Sequence, residues 1–572
     1  MKTLMYSLCN VLFVLTALGC TAGSSSNKTT NDTGLGHDSA VLYNGIRLPD
    51  EWPPRHIDAK SDEPMPVPYL ENPPSVIPIN VGRQLFVDDF LVESTTLRRI
   101  YHQPEAYQGN PVFTPSTDLE LHRTNGGEGA HEAVCYLGTG GVFYDPQESL
   151  IKMWYTAGWR GPLALATSPD GFSWTRPSLN ANGENVVLLP GDEEPGAGRD
   201  NSVYLDVAAK EVSERYKFLA QRYGAGQNHT LHTSEDGLNW SRGIETGLAS
   251  DYCTFFYNPF RNIWVHSIKR NGPRGRARDY AESPTFMHPD IYDSSVYWVN
   301  ADRLDEPDPQ VGDAPQLYML HGIAYESILL GMFQIHLGPH NNVCEKGLFP
   351  KITELKLGFS RDGFHWHRPV REPFIKASRK EGAWDRAYLH STTGICLVMG
   401  DRLYFPYNGY SGISPTGWKG MYTGASIGIM TLRRDGFASM EAGAEAGTNG
   451  GTLTTRPLLF SGKQMFVNVD CPNGTLRVEL LDANGAPIPG FSKDDCLPIS
   501  TDKTLCAVRW KNGANLSSLA NKPVRFRFYL SNGNLYSFWV SPFDSGASLG
   551  YVAAGGPGFS KNIDLEGAAA YF

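Results

Sequence analysis

The sequence SPDGFSW, residues 168–174, contains the turn that decides how this chain folds. Similar turns follow as SEDGLNW at 234–240 and SRDGFHW at 360–366, with a weaker RRDGFAS at 433–439. In such a turn the aspartate accepts backbone hydrogen bonds and the glycine supplies a positive φ, and together they close a hairpin. A turn that recurs along one chain indicates a repeated structural unit.

A strand-like run that opens with a polar residue precedes each of these turns. The openings at Glu132, Asp200, Glu326 and His390 lie 36 to 45 residues before the turn aspartates. A fifth run opens at Asp251 and lacks the Asp-Gly turn. Repeats of about 40–50 residues made of short strands are typical of a β-propeller. The sequence therefore predicts five blades, with the turn aspartates and tryptophans in structural roles and the tryptophans packed between neighbouring blades.

A different pattern begins near residue 455, where longer strands alternate apolar and polar residues. In the stretch VRFRF at 524–528 the apolar side chains alternate with arginines, as in a half-buried antiparallel strand. Asn-Gly pairs at 473–474, 484–485 and 532–533 predict hairpins. This pattern favours a β-sandwich. The predicted all-β organisation is a signal peptide (1–20), a tether and N-terminal extension (21–78), a five-bladed propeller (79–440), and a β-sandwich with a C-terminal tail (441–572).

Composition excludes several classes of function. The 572 residues carry a formal charge of −10 and show no basic footprint, so nucleic acid is not an expected partner. No phosphate loop or dinucleotide fingerprint is present, and no cofactor is expected. The cysteines lack metal-ligand spacing, and no metal site is predicted from them. Cys471, Cys496 and Cys506 are close enough in sequence for one disulfide in an oxidising compartment, with the pairing left open.

The N-terminus MKTLMYSLCNVLFVLTALGC reads as a bacterial export signal, with Lys2 before an apolar run and small residues at its end. Its last four residues, ALGC, resemble a lipobox, which predicts cleavage that leaves Cys20 as the lipidated residue. The apolar run is too short for a stable membrane span. The sequence thus predicts an extracytoplasmic protein held to a bacterial membrane by lipid, the outer membrane in a Gram-negative cell, with simple secretion as the alternative.

The chain also resembles a known group of enzymes. The stretches GRQLFVDDFLVE at 82–93, YHQP at 101–104 and MFVNVDCPNGTLRVELLDANGAPIPGF at 465–491 carry this resemblance, together with the Asp-Gly turns. They look like glycoside hydrolase family 32 and its relatives, which share a five-bladed propeller with family 43 and carry a C-terminal β-sandwich. By this resemblance blade one supplies the base or nucleophile, blade two a stabilising carboxylate and blade three the acid. Those roles fall on Glu132, Asp200 and Asp251.

The geometry of a propeller points to the same residues. The innermost strand of each blade lines the central funnel, so the strand openings place Glu132, Asp200, Asp251, Glu326 and His390 at its mouth. Glycoside cleavage needs two carboxyl groups, one protonated and one ionised. Glu326 competes for the acid role, because apolar neighbours can raise the pKa of its carboxyl group. The structural alternative for each acid is a hydrogen bond at a strand end.

Further residues are candidates for substrate binding. Arg274, Arg276 and Arg278 alternate on one extended segment and can grip carboxylate or sulfate groups, or they can pair with neighbouring acids. Trp384 and Tyr325 can stack on sugar faces, and His390 can contribute a hydrogen bond. The Asp88–Asp89 pair is either a blade-one carboxylate or, as turn preference favours, a strand cap.

These observations predict an extracytoplasmic glycoside hydrolase, exo-acting on plant or algal polysaccharide fragments that include anionic or sulfated ones. Its expected partner is an oligosaccharide or polysaccharide. Two alternatives stay open: a surface lipoprotein that binds glycans without cleaving them, and a propeller polysaccharide lyase with a Tyr or His base. The oligomeric state is not predicted.

Overall fold

Most of the regular secondary structure is β-strand. The computed structural model describes residues 40–571, apart from 122–132, 192–194, 199, 223–227, 345–349, 416, 418 and 444–449. Within these residues the helical segments are single turns, namely Pro68–Glu71, Asp118–Leu121 and Asn341–Cys344 (α) and Val212–Glu214, Ile291–Ser294, Leu516–Leu519 and Gly567–Ala570 (3-10). The protein is therefore all-β, as predicted.

Five antiparallel sheets follow one another along the chain and form the five blades of a propeller. Their strands are Cys135–Asp145, Leu150–Ala157, Leu163–Ser168 and Val186–Leu188 (blade one), Asn201–Leu205, Tyr216–Gln221, Asn228–Ser234 and Ile244–Leu248 (blade two), Thr254–Asn258, Ile263–Gly272, Gly275–Ser283 and Val296–Asn300 (blade three), Gln316–Glu326, Ile328–Gly338 and Ile352–Ser360 (blade four), and Leu397–Met399, Arg402–Tyr410 and Ala425–Arg433 (blade five). The five-bladed propeller predicted from the repeat is confirmed.

Two short strands, one before blade one in the sequence and one after the sandwich, add to blades five and four. The short strand Glu105–Ala106 pairs with Ala425–Arg433 and completes blade five. The last strand in the sequence, Tyr551–Val552, pairs with the end of the inner strand of blade four. The backbone that follows it hydrogen-bonds to blades five and one, because the Ala554 N–H donates to the Cys396 carbonyl (3.0 Å) and the Ala554 carbonyl accepts from the Tyr144 N–H (2.9 Å). The C-terminal segment therefore crosses beneath three blades, at the end of the channel opposite the starts of the inner strands.

Two facing sheets make the predicted β-sandwich. One contains Asp502–Ala507, Gln464–Asp470, Gly533–Ser541, Ala438–Ala442 and Arg98–Tyr101, joined by Gln84–Leu85, and the other contains Thr475–Leu481, Arg525–Ser531, Gly451–Thr455 and Val92–Thr95. Outside both sheets, the pair Ile77–Pro78 and Leu458–Leu459 runs parallel. Strands between residues 84 and 101 thus belong to the sandwich, which moves the predicted boundary at residue 79. Ser39–Phe572 form one compact unit.

The Asn-Gly pairs have two different roles. The pair at 484–485 closes a hairpin, with Leu481 bridged to Pro487. Those at 473–474 and 532–533 instead join strands of opposite sheets, because the strands on either side of each pair lie in different sheets. For these two pairs the hairpin prediction is corrected to a corner between layers.

The three strong Asp-Gly turns share one set of hydrogen bonds. In blade two, the Asp236 Oδ1 accepts from the backbone N–H groups of Leu238 and Asn239, both at 2.8 Å, and the Ser234 Oγ accepts from Gly237 (2.9 Å). The same bonds recur at 168–173 and 360–365. Burial opposes ionisation of Asp236, but the donors from Asn239 and Leu238 outweigh it and lower the pKa of this carboxyl group. The repeated sequence therefore encodes a repeated turn.

Two other tryptophans link neighbouring blades through these turns. The indole N–H of Trp154 in blade one donates to the Gly237 carbonyl of blade two at 3.0 Å. That of Trp298 in blade three donates to the Phe364 carbonyl of blade four at 2.8 Å. Of the tryptophans within the turns, Trp174 bonds to its own turn and Trp240 packs on Phe218 of its own blade, whereas Trp366 of blade four packs on Trp298 of blade three with ring centroids 6.3 Å apart. The predicted packing of turn tryptophans between blades is thus found for Trp366, and tryptophans of the blade strands also reach into the next turn.

This contact makes Gly237 a sensitive position. Its φ is +76°, and a Cβ added there would lie 2.7 Å from Cζ2 of the buried Trp154. Gly183 has a similar φ of +78°, but a Cβ added there would meet nothing within 4 Å. The left-handed conformation costs a non-glycine residue about 1–2 kcal/mol at either site. We expect Gly237→Ala to lower the free energy of unfolding by about 1–3 kcal/mol more than Gly183→Ala, since overpacking adds to the backbone cost.

Urea denaturation of both variants measures this difference. Equal losses at the two glycines would show that Trp154 moves aside without cost and that the link between blades one and two contributes little.

A buried ion cluster holds the underside of the propeller against the sandwich. Five fully buried charges meet there: Arg83, Glu326, Arg434, Asp435 and Asp564. Arg83 contacts Asp435 at 3.0 Å and Glu326 at 3.4 Å, and Arg434 contacts Glu326 at 3.1 Å and Asp564 at 3.4 Å. Asp435 belongs to the weak fourth repeat at 433–439. This repeat therefore connects the two domains and does not form the common turn.

Several sequence-based predictions concern residues outside the propeller channel. Asp88 is buried and pairs with Arg361 at 2.8 Å, which fits a structural role for the Asp88–Asp89 pair. All seven described cysteines are free thiols, so the disulfide expected among the last three does not form. Within the described part of the chain, every helix is too short and too polar to cross a bilayer. Cys20 and the export signal lie outside the described residues, and lipidation stays a prediction.

Candidate functional site

Tyrosines from four blades meet where the inner strands begin. The Tyr388 hydroxyl of blade five lies 2.8 Å from that of Tyr318 in blade four and 3.1 Å from that of Tyr252 in blade three. Tyr136 of blade one packs within the same buried group. We call the following residues the funnel cluster: Tyr136, Asp200, Asp251, Tyr252, Lys269, Tyr318, Lys351 and Tyr388. All five blades contribute to it.

Blade two contributes a carboxylate. Asp200 directly precedes the strand Asn201–Leu205, and its side chain is buried. The Tyr136 hydroxyl donates to the Asp200 Oδ1 at 3.3 Å. The carboxylate at the start of the blade-two inner strand therefore contacts blade one. The repeated inner strands place it at this end of the channel.

Blade three contributes an ion pair next to this carboxylate. Lys269, on the strand Ile263–Gly272, donates to Asp251, which precedes the inner strand of the same blade. Burial lowers the pKa of Lys269 to about 7, helped by the positive charges of Arg276, Arg278 and Lys351 and opposed by the negative charge of Asp200. Lys269 therefore interacts electrostatically with both Asp251 and Asp200.

The tyrosines are neutral hydrogen-bonding groups. Burial raises the pKa of Tyr318 to about 12 and those of Tyr136, Tyr252 and Tyr388 well above 10. Their hydroxyls therefore keep their protons at neutral pH and can donate to a ligand oxygen. Tyr252 also adopts a φ of +58°, a conformation that costs a non-glycine residue about 1–3 kcal/mol and is concentrated at functional sites.

An aromatic pair flanks these tyrosines. The rings of Trp159 and Tyr422 are stacked with centroids 3.8 Å apart and an angle of 18° between their planes. Trp159 contacts Tyr136, and Tyr422 contacts Tyr388. Tyr422 is only partly buried, so this end of the cluster presents an aromatic surface of the kind on which sugar rings stack.

The structure brings only some of the predicted catalytic acids together. Asp200 and Asp251 lie in the funnel cluster, whereas Glu132 falls outside the described residues. Glu326 lies at the opposite end of the channel, in the buried ion cluster. The reason is a shift in the fourth inner strand, which begins at Gln316 and ends at Glu326, whereas the sequence pattern predicts a start at Tyr325. Tyr325 is likewise buried there, and its hydroxyl donates to Asp435 at 2.6 Å.

The predicted binding residues also separate. Arg278 is fully buried and donates to the carbonyls of Tyr252 (2.8 Å) and Tyr318 (3.3 Å), so it fixes blade three to blade four. Arg276 lies over the Tyr318 ring at 5.3 Å, and Arg274 approaches Asp62 at 3.7 Å. The sequence therefore located one arginine at the funnel cluster, one in the core and one at the surface.

His390 and Trp384 pack against aromatic residues of the blades. His390 is fully buried and its ring packs 4.3 Å from Tyr388 and 5.3 Å from Tyr136. Burial, with Lys351 and His321 nearby, holds its pKa well below 6.5, so the imidazole is neutral. Trp384 packs against Tyr407 and over Gly428 in the sheet of blade five. Both side chains therefore have packing contacts within the blades.

Sequence reasoning missed Tyr136, Tyr318, Tyr388 and both lysines of the funnel cluster. A usable signal existed for Tyr318, which, like Tyr252, lies within two residues of the start of an inner strand. Lys269 and Lys351 carry no such signal, because each lies on or next to a strand that is not innermost. Only the pairing of strands shows that these lysines reach the channel.

Comparisons with known proteins concern the fold. No protein-family model matches the sequence, and no curated protein matches it. Among solved structures, an exo-β-1,3-galactanase from Phanerochaete chrysosporium is 10% identical, covering 77% of this chain and 99% of its own, with a TM-score of 0.32. An N-acetylgalactosamine deacetylase from F. plautii is 13% identical (61% and 96% covered, TM-score 0.37), and a thermostable family-43 glycoside hydrolase is 11% identical (56% and 96%, TM-score 0.38).

Two of these neighbours, the galactanase and the family-43 enzyme, are glycoside hydrolases by name. At such identities and TM-scores the likeness does not extend to the function of this chain. The chemistry of this chain is therefore argued from the residues of the funnel cluster.

Proposed function

We propose that the protein is a glycosidase that hydrolyses an oligosaccharide bound at the funnel cluster. The observation that carries this proposal is the position of Asp200 and Asp251, which open the inner strands of adjoining blades. Asp251 pairs with Lys269, and the charge of Asp200 acts on the same lysine. Glycoside hydrolysis uses one carboxyl group to protonate the leaving oxygen and another to activate water or attack the sugar. Tyrosine hydroxyls beside these carboxylates suit the hydroxyl groups of a sugar.

The Lys269–Asp251 ion pair limits the catalytic roles that the two acids can take. Lys269 stabilises the ionised form of Asp251, so Asp251 suits a base or a positioning group better than a proton donor. Asp200 is buried and accepts a hydrogen bond from a neutral tyrosine, and it takes the catalytic role complementary to that of Asp251. Glu132 of blade one is the third carboxyl group that the sequence predicts. Exo-action on plant or algal fragments and export with a lipid at Cys20 belong to the proposal as well.

One observation favours a second candidate, a polysaccharide lyase. The pKa of Lys269, at about 7, matches a general base at neutral pH, which the tyrosines with raised pKa values do not. In such an elimination the amine removes the proton next to the uronate carboxyl group, a double bond forms and the neighbouring C–O bond breaks. The leaving oxygen takes a proton from the resulting ammonium group and departs as an alcohol.

Product analysis separates these chemistries. We expect the lipid-free protein to release reducing sugar from one or more plant or algal oligosaccharides, with water incorporated and without an unsaturated product. Ultraviolet absorbance follows the unsaturated sugar, and labelled water reports hydrolysis in the same samples by mass spectrometry. Release of an unsaturated product would establish the lyase instead, and binding without either product would establish a glycan-binding protein.

A further inference from the structure

Three cationic side chains from two blades surround one tyrosine of the funnel cluster. The Nζ of Lys351 lies 4.7 Å and the Nζ of Lys269 5.9 Å from the centre of the Tyr318 ring, and the Arg276 guanidinium carbon lies 5.3 Å from it. Lys269 and Arg276 come from the second and third strands of blade three. Lys351 directly precedes the third strand of blade four.

These groups are held in place by the protein. Lys351 and Lys269 are buried, at 1% and 7% exposure, and the Lys351 ammonium donates to the Tyr318 hydroxyl at 3.1 Å. Arg276 is half-buried, and its guanidinium donates to the Gln316 Oε1 at 2.9 Å. Charges that folding has already desolvated and oriented bind an opposite charge with little further cost.

The neighbouring groups respond to a positive local potential. Burial, together with the positive charges of Lys351 and Arg276, lowers the pKa of His336 to about 2. The low pKa of Lys269 has the same electrostatic origin, with Arg276, Arg278 and Lys351 as contributors after burial. Three positive charges are therefore gathered around Tyr318, and one of them, Lys269, is paired with the carboxylate of Asp251.

We propose that Lys269, Arg276 and Lys351 form a subsite for an acidic group on the sugar, either a carboxylate or a sulfate ester, next to the bond that is cleaved. The arginine offers a planar fork and the lysines offer compact charges, which together match the oxygens of such a group. This inference rests on the proposed function, because it names the substrate class of the same site. It also moves the acidic subsite from the predicted arginine segment 274–278 to residues of two blades.

The test compares three probes on the full folded chain: a galacturonic acid trisaccharide, a sulfated galactose trisaccharide and neutral galactotriose. Calorimetry measures binding to the wild type, Arg276→Gln and Lys351→Gln, with Arg303→Gln as a matched control. Arg303 is exposed and pairs with Glu63 at 2.9 Å. We expect one acidic probe to bind at least tenfold more tightly than the neutral one, and the two subsite variants to weaken it roughly 10- to 100-fold while Arg303→Gln does not.

The outcomes distinguish this inference from the proposed function. Binding of an acidic probe that depends on Arg276 and Lys351 supports the subsite even if no cleavage is seen, and the preferred probe identifies carboxylate or sulfate. Equal binding of all three probes overturns the subsite, as does tight acidic binding that Arg276→Gln leaves unchanged. If Lys351→Gln does not fold, the half-buried Arg276 alone decides the question.

Discussion

Replacement of Asp200 by asparagine is expected to reduce kcat/KM about 10²- to 10⁴-fold on any oligosaccharide that the wild type cleaves, the range for loss of one positioned acid or base. Asparagine keeps the size of the side chain and can still accept from the Tyr136 hydroxyl. It removes the negative charge and the ability to exchange a proton. The loss should therefore appear in kcat more than in KM.

Asp206→Asn provides the control for this variant. Asp206 follows the other end of the same inner strand and pairs with Lys217 at 3.3 Å, away from the funnel cluster. We expect it to change kcat/KM less than about twofold, because Asp206 lies at the end of the inner strand that is remote from the funnel cluster. Circular dichroism and thermal unfolding check that both variants are folded. An Asp200→Asn protein that retains wild-type kcat/KM would remove Asp200 from the chemistry.

The largest stability effect is expected in the buried ion cluster. Arg83→Met should lower the free energy of unfolding by about 3–5 kcal/mol, the cost of leaving buried charges without their partner. The guanidinium contacts Asp435 and Glu326, donates to the Thr504 carbonyl at 2.8 Å and lies 4.2 Å over the Trp539 ring. Its removal leaves three carboxylates facing one arginine.

Glu326→Gln should cost less than Arg83→Met, because it leaves two positive and two negative charges in the cluster. Arg98→Met is the surface control, since Arg98 is 75% exposed in its pair with Glu441 and such pairs contribute about 0–1 kcal/mol. Denaturant unfolding ranks the three variants. A larger loss for Glu326→Gln than for Arg83→Met would contradict this account of the charge balance.

The blade repeat could be read from sequence because its turn is local. Asp170, Asp236 and Asp362 each bond to backbone two and three residues away, so the sequence pattern and the structure coincide. The alternation at 524–528 was equally reliable, with Phe526 and Phe528 buried between arginines. The Asn-Gly pairs show the limit, since the same dipeptide closes a hairpin at 484–485 and turns between sheets at 532–533.

The candidate site was less predictable because it depends on register. A strand that begins about ten residues earlier than expected moved Glu326 and Tyr325 from one end of the channel to the other. Alternation cannot fix this shift, since an inner strand buried on both faces has no polar side to mark its ends. Lys269 and Lys351 reach the funnel cluster through neighbouring blades, and contacts between distant parts of a chain leave no local pattern.

The path of residues 551–555 beneath blades four, five and one has a consequence for biosynthesis. Domains commonly acquire structure from the N-terminus while the ribosome is still adding residues. Here the first propeller strand, Glu105–Ala106, can pair only after blade five has been translated. The underside is completed by a segment that is translated after the strands of the sandwich. The ring therefore cannot close before Arg433 has been translated, and its underside cannot be completed before Gly555 has been translated.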